Sequence, residues 1–271
     1  MKNHLIAGFG TTQFWYGYDR EAYISMREAV CSYGIRMIDT AEMYGDGRCE
    51  EAVGRLIRDI GRDELMIVDK ILPDNAHRKR FFRSLDASLS RLGTGCIDLY
   101  LLHWRENADL QEVSELMEEA KKAGKIRAWG VSNFDVQDME DLLACPQGKY
   151  CEANQIFYNP DKRGSEFDLL PYLQERNIGV MAYSSLDSRA VRNRLAADER
   201  VRMILEKEGI TIEALMIAFV IAHGVTPLFQ TRSRAHLKDN CAGLSFDIQP
   251  YMSVLDAVCP PPVRKVPLAK Q

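Results

Sequence analysis

Four residues able to do acid–base chemistry, Asp39, Tyr44, Lys70 and His103, stand just past apolar runs in a chain of 271 residues. Asp39 follows the run 35–38, and Tyr44 comes five positions later beside Gly45. Lys70 follows residues 65–68 with Asp69 between, and His103 follows residues 97–102. Strands of a parallel α/β sheet are buried, so a carboxylate at the end of one sits where catalytic groups project. A free phenol, with a pKa of about 10, is poorly matched to work near neutrality. An ammonium about 4 Å away favours the phenolate by about 4 kcal/mol at an effective dielectric of about 20. A carboxylate on that lysine would keep it charged while offsetting part of the effect, and a histidine would orient a substrate oxygen or share the proton. The chemistry of such a cluster is proton transfer, worth typically ~10²–10⁴-fold in rate. It needs no metal.

Each residue also has an ordinary structural use. Asp39 could cap a helix, Lys70 could be solvated, and His103 could be a satisfied buried imidazole. Tyr44 alone says little. Their joint placement at successive strand ends is what points to a site.

The elements that must position them alternate regularly. Residues 48–60 put Val53, Leu56, Ile57 and Ile60 at i, i+3, i+4 and i+7, an amphipathic helix. Phe82, Leu85, Leu89 and Leu92 mark another, stopped by Gly93, and Val113, Leu116, Met117 and Ala120 a third, stopped by Gly124. Further helices are expected over 20–33, from Val136 to Leu143, and over 166–176, 198–208, 211–223 and 234–242. Strands are expected over 5–11, 35–38, 65–68, 97–102, 127–131, 153–157, 178–183 and 226–230. Eight strands each followed by helix are the arithmetic of a (β/α)8 TIM barrel in the α/β class, read as a single domain over 1–271. The strands then end on one rim, bringing Ser132, Asn133 and Gln155 to the acid–base cluster. The first run carries Gly8 and Gly10, but Gln13 stands where a dinucleotide fingerprint needs its third glycine, which disfavours a Rossmann crossover. Residues 185–197 alternate in charge and are expected to be mobile, and the tail with Pro260, Pro261 and Pro262 is expected to cross the barrel surface.

Composition narrows the partners. A net charge of −4 favours neither nucleic acid nor anionic membrane. No apolar run approaches the ~18 residues of a membrane span, and residues 1–5 do not read as a secretory leader. Seven cysteines without a Cys-x-x-Cys suit reduced thiols in the cytoplasm rather than disulfides or zinc.

The segments 38–45 (Ile-Asp-Thr-Ala-Glu-Met-Tyr-Gly), 101–104 (Leu-Leu-His-Trp), 130–134 (Gly-Val-Ser-Asn-Phe), 154–155 (Asn-Gln) and 182–184 (Ala-Tyr-Ser) together resemble the aldo-keto reductases. The resemblance covers nearly the whole chain and extends to bacterial-type members with the tail at 260–268. It implies a barrel that binds NADPH extended, with NADH as the open alternative, and passes hydride to a small-molecule carbonyl, an aldehyde or ketone. It implies that Tyr44 is the general acid, Lys70 lowers its pKa, Asp39 supports Lys70, and His103 orients the carbonyl. Ser132, Asn133 and Gln155 would hydrogen-bond the carboxamide and Tyr183 would stack on the nicotinamide. Ser184, Leu186 and Ser188 would follow the pyrophosphate, with Thr11 and Thr12 on the first cofactor-facing loop. After the last strand, Gln230 replaces the family's frequent lysine and Phe229 the preceding proline, and Ser185 replaces a proline after Ser184. That lysine is worth ~1.5–3 kcal/mol to a 2′-phosphate. Arg232, Arg234, His236 and Lys238 could compensate, on a cofactor-facing stretch that includes Thr231, Ser233 and Asn240. Phe14, Trp15, Met43, Trp104 and Phe134 are expected to form an apolar substrate wall. The expected species is a monomer or weak homo-oligomer. The competing reading is a cofactor-binding regulatory or sensor protein on the same barrel with little turnover, motivated by the altered 185–231 region.

Overall fold

A computed structural model describes residues 7–186 and 189–270. The strands are β1 Gly8–Gly10, β2 Met37–Asp39, β3 Met66–Ile71, β4 Ile97–Leu102, β5 Ile126–Ser132, β6 Ala153–Phe157, β7 Gly179–Tyr183 and β8 Thr226–Phe229. They pair in parallel in sequence order, and β1 closes on β8, making a barrel. The helices are α1 Arg20–Tyr33, α2 Arg48–Ile60, α3 Phe81–Leu92, α4 Leu110–Lys122, α5 Val136–Leu143, α6 Leu169–Glu175, α7 Arg189–Ala197, α8 Glu199–Glu208, α9 Ile212–Ala222, α10 Arg234–Ala242 and α11 Met252–Val258. The sequence expectation of a (β/α)8 barrel holds.

Local chemistry accounts for the boundaries. Asp19, Asp109 and Thr211 cap α1, α4 and α9 with side-chain oxygens, and Asp135 and Asp138 form a reciprocal capping box on α5. α3 ends where Gly93 takes a left-handed φ of 66°. The periodic positions Val53, Leu56 and Ile57 of α2 are buried in the main apolar core. β3 runs three residues beyond the expected apolar stretch, so Lys70 lies within the strand, and Asp39 is the last residue of β2.

Period 2 along the strands sorts two layers. Met37, Val68, Leu99, Leu101, Ala128, Ala153, Met181 and Leu228 fill the barrel interior as a separate apolar cluster. Two residues further along, the same inward parity gives Asp39, Lys70, His103, Gln155, Tyr183 and Gln230, while Ser132 follows Gly130. A Cβ on Gly130 would lie 2.4 Å from the Ala153 carbonyl oxygen, so that inward position takes no side chain.

Two segments depart from expectation. Residues 189–197, for which no helix was expected, form α7, which buries Val191 and Leu195. The expected helix 166–176 is shorter, because a 3-10 turn at Gly164–Glu166 precedes α6. The tail does cross the outside of the barrel. Lys265 pairs with Asp168 at 3.0 Å and Leu268 packs on the core. Among the described residues, no helix is long and apolar enough to cross a membrane.

Candidate active site

Lys70 organises the site. Its side chain is fully buried, and its ammonium donates to Asp39 Oδ2 at 2.8 Å, the Thr40 carbonyl at 2.9 Å and the Tyr44 hydroxyl at 3.3 Å. These three acceptors satisfy its three protons. Burial pulls the Lys70 pKa down, but Asp39 and then Tyr44 outweigh it and leave it above the ordinary lysine value, so the group stays charged. The other carboxylate oxygen of Asp39 accepts from Gln155 Nε2 at 2.7 Å, and its backbone carbonyl accepts from Thr11 Oγ1 at 2.9 Å. Asp39 is therefore spent on holding Lys70 rather than left open.

Tyr44 sits on the turn after β2, closed by its N–H donating to the Ala41 carbonyl at 2.9 Å. Gly45 beside it takes φ 58°, and a Cβ there would lie 2.3 Å from the Trp15 carbonyl oxygen. Only glycine lets the turn press so closely on the β1 loop. Burial pushes the Tyr44 phenol above its ordinary value; Lys70 opposes this and Asp39 adds to it. The expected net lowering by lysine is thus reversed, because desolvation is the larger effect. The phenol is therefore protonated at neutral pH.

His103 lies edge-on to Tyr44, with centroids 5.7 Å apart, and is stacked flat on Trp104 at 3.9 Å. Burial, then the Lys70 charge, pushes its pKa down to about 2, so the ring is neutral. Its Nδ1 is buried with no protein partner, so the scaffold does not pin the tautomer.

The opposite wall is a network of amides and hydroxyls. Ser132 Oγ donates to the Gln155 carbonyl at 2.8 Å. Asn133, at φ 64°, donates through Nδ2 to the His103 carbonyl and to Ser132 Oγ, both at 3.1 Å. The Tyr183 hydroxyl donates to Asn133 Oδ1 at 2.7 Å, and Phe157 stacks on the Tyr183 ring at 5.4 Å. Non-glycine residues at positive φ are uncommon, and Asn133 and Ser184 (φ 53°) both occur directly after inward strand ends on this rim.

These walls enclose a cavity of about 600 Å³, within the range of small-molecule sites. It is lined by Thr11, Thr12, Asp39, Met43, Tyr44, His103, Trp104, Ser132, Asn133, Gln155, Tyr183, Ser184, Leu186 and Gln230, all expected from the sequence. Gly10, Ser185, Leu228 and Phe229 also line it and had not been singled out as site residues. The inward parity of Gly10 and Leu228 was the available signal. Two expected wall residues fail: Phe14 and Phe134 are fully buried in the core outside the cavity. Trp15 does not line it either, but leans on the Tyr44 ring at 6.0 Å.

Beyond β8 the expected cofactor residues divide. Gln230 Nε2 donates to Thr12 Oγ1 at 2.6 Å, and Gln230 Oε1 accepts from Gln13 N at 3.1 Å, clasping the β8 end to the β1 loop. Arg232 pairs with Asp19 at 2.8 Å and Arg234 with Glu28. Ser233 caps α10 by accepting from His236 N, and Thr231 Oγ1 accepts from Ser233 N at 3.0 Å. His236 and Lys238 are exposed, and Asn240 is buried with its Oδ1 unpartnered. None of the residues from 231 to 240 lines the cavity. Ser188 lies outside the described residues.

The model of the Aldo/keto reductase family matches residues 7–254. The chain belongs to the aldo/keto reductase family. Methylglyoxal reductase YeaE of Escherichia coli is 37% identical over 252 residues, which cover 92% of this chain and 88% of that protein. Glyoxal reductase of Bacillus subtilis is 30% identical over 253 residues, with the same coverage of 92% and 88%. An aldo/keto reductase from Klebsiella pneumoniae, solved in complex with NADP and acetate, superposes with a TM-score of 0.91 at 38% identity, over 98% of this chain and 95% of that one. As a member of this family the chain is an oxidoreductase, and the resemblance drawn from its motifs is confirmed.

Proposed function

We propose that this aldo/keto reductase is an NADPH-dependent carbonyl reductase whose general acid is Tyr44. The observation that carries the reading is the Tyr44 hydroxyl, on the wall of a cavity it shares with neutral His103 and 3.3 Å from a charged, fully buried Lys70 behind that wall. The donor set suits a nicotinamide. Ser132, Asn133 and Gln155 offer amide and hydroxyl groups matched to a carboxamide, and Tyr183 offers an aromatic ring on the same wall. A reduced nicotinamide bound there would supply the hydride.

The chain's own residues do the rest. Tyr44 gives its proton to the carbonyl oxygen as negative charge develops on it. Lys70 then stabilises the phenolate left behind, and Asp39 keeps Lys70 charged and in place through the cycle. A neutral His103 hydrogen-bonds the carbonyl without adding a charge that would compete with Lys70. Trp104 and Met43 give the cavity an apolar flank, which suits a small aldehyde, ketone or dicarbonyl. Names of relatives, methylglyoxal and glyoxal reductases, point the same way. The Klebsiella relative's NADP supports the choice of cofactor. Free thiols throughout fit a reducing cytoplasm.

The test is Tyr44→Phe. It should lower NADPH oxidation with methylglyoxal by about 10²–10⁴-fold while nucleotide binding, followed by fluorescence titration, is retained. Parent-like turnover in that variant would remove Tyr44 from the mechanism. The complete Asp39, Tyr44, Lys70 and His103 set favours turnover over a sensor that only binds nucleotide.

A further inference from the structure

Glu42 stands between Asp39 and Tyr44, yet the chemistry above does not use it. Its half-buried carboxylate accepts from three neutral donors, all on segments that follow Lys70. Oε1 takes Leu72 N at 2.6 Å and Asn75 Nδ2 at 3.0 Å, and Oε2 takes Ser84 Oγ. Its own N–H donates to the Lys70 carbonyl at 3.2 Å, one step past the Thr40 N to Val68 carbonyl bond at 2.9 Å. The β2–β3 ladder therefore continues beyond the end of β2. At the next rung the Glu42 carboxylate, rather than a backbone carbonyl, receives Leu72 N.

That substitution has a mechanical result. The turn from Ala41 to Tyr44 is closed on itself by the Tyr44 N–H, so it moves as a unit. Glu42 fastens this unit to the backbone on both sides of Ile71, the residue following Lys70. Hydrogen bonds to an ionised carboxylate are roughly twice as strong as neutral ones, which makes the staple stiff. The distance between the Tyr44 hydroxyl and the Lys70 ammonium spans two elements, the turn and β3, and Glu42 joins them.

We infer that Glu42 is a positioning residue for the reaction: it holds the Tyr44 hydroxyl on the Lys70 ammonium by tying the Tyr44 turn to the strand that carries Lys70. The inference rests on the reading of Tyr44 as proton donor.

The experiment compares kcat against pH for the parent, Glu42→Ala, Glu42→Gln and Tyr44→Phe, using NADPH and methylglyoxal. NADPH affinity and Tm are followed alongside. Glu42→Ala should lose about 10- to 100-fold in kcat, with NADPH affinity changed less than about twofold. The basic limb of its profile should move to higher pH, because a phenol separated from its ammonium gives up its proton less readily. Glu42→Gln, which keeps the shape and an acceptor for Leu72 N, should fall between. A Glu42→Ala profile with the parent's pH dependence would overturn the inference, whatever happens to Tm, since a purely structural role moves stability alone. Parent-like activity in Tyr44→Phe would instead bring down the proton-donor reading and this inference with it. Should Glu42→Ala fail to fold, Asn75→Ala combined with Ser84→Ala removes two of the three donors. It should give the same upward shift, and an unshifted limb there would count against the staple.

Discussion

Lys70 on β3 and Asp39 on β2 meet at 2.8 Å, although their strands pair with Asp39 opposite Val68, two residues before the lysine. The lysine reaches back across the rim to the carboxylate, passing the Thr40 carbonyl and the Tyr44 hydroxyl on its way. This reach is why one buried cation serves three groups of the preceding strand and turn. It also ties the Tyr44 hydroxyl and the Asp39 carboxylate to a single side chain.

Asp39→Asn tests that dependence. An asparagine keeps the shape but leaves a buried ammonium without its anion, a change that typically costs ~3–5 kcal/mol. We expect a clear loss of denaturant stability and a fall in kcat larger than any change in KM for the carbonyl. Urea unfolding and steady-state kinetics on the same preparation check both.

His103 sets an acid limit. Its folded pKa, about 2, lies below the unfolded value of about 6.5. The contribution of the neutral ring is therefore present above about pH 6.5 and is lost as pH falls towards the folded value, at up to about 1.4 kcal/mol per pH unit. Thermal melts from pH 7 to pH 4 should show a steep decline in the parent. His103→Gln should flatten it.

Asp69, behind Lys70, has the opposite sign. It faces the helix layer fully buried, accepts from Lys70 N through Oδ1 at 2.8 Å, and keeps Oδ2 without a hydrogen-bond partner near Glu50, which is ion-paired with Arg91. Burial, then the Glu50 charge, holds its pKa well above the ordinary carboxylate range. A raised folded pKa means that stability is fully present below the unfolded value and declines as pH rises through the folded one. Asp69→Asn should then raise Tm at pH 7.5 by roughly 2–4 °C, with the gain shrinking at pH 4. Calorimetry at the two pH values decides it.

Gln230 occupies the position after β8 and is held by Thr12 and Gln13 rather than offered as a cation. Arg232 and Arg234 are already paired with Asp19 and Glu28. Replacing Gln230 by lysine should strengthen NADPH binding over NADH by about 10- to 100-fold, the equivalent of ~1.5–3 kcal/mol for one charge-assisted contact. Parallel titrations with the two nucleotides read the ratio directly.

Much of the barrel and its rim was legible because both rest on short-range pattern. Apolar runs leading into Asp39, Lys70, His103 and Ser132 mark the rim side of their strands, Gln155 lies within β6, and a shared strand direction gathers them. What escaped depends on three-dimensional detail. Phe14 and Phe134 lie beyond the strands, where period 2 no longer dictates which way a side chain turns, and both went to the core. α7 was missed because only Val191 and Leu195 supply its buried face amid three arginines. The sign of the Tyr44 shift depends on desolvation, which spacing along a chain does not report. Glu42 carried no signal as a staple, since its partners lie 30 to 42 positions away.

The inward parity of the strands bears on how such a site can change. Substitution alters one rim group at a time and leaves its neighbours in place. A single-residue deletion within 66–69 would act differently. It would rotate the end of β3 by one step, carrying Lys70 into the helix layer and presenting Ile71 to the cavity. Point replacement is therefore open to this rim strand by strand, whereas changes of length are confined to the loops beyond it.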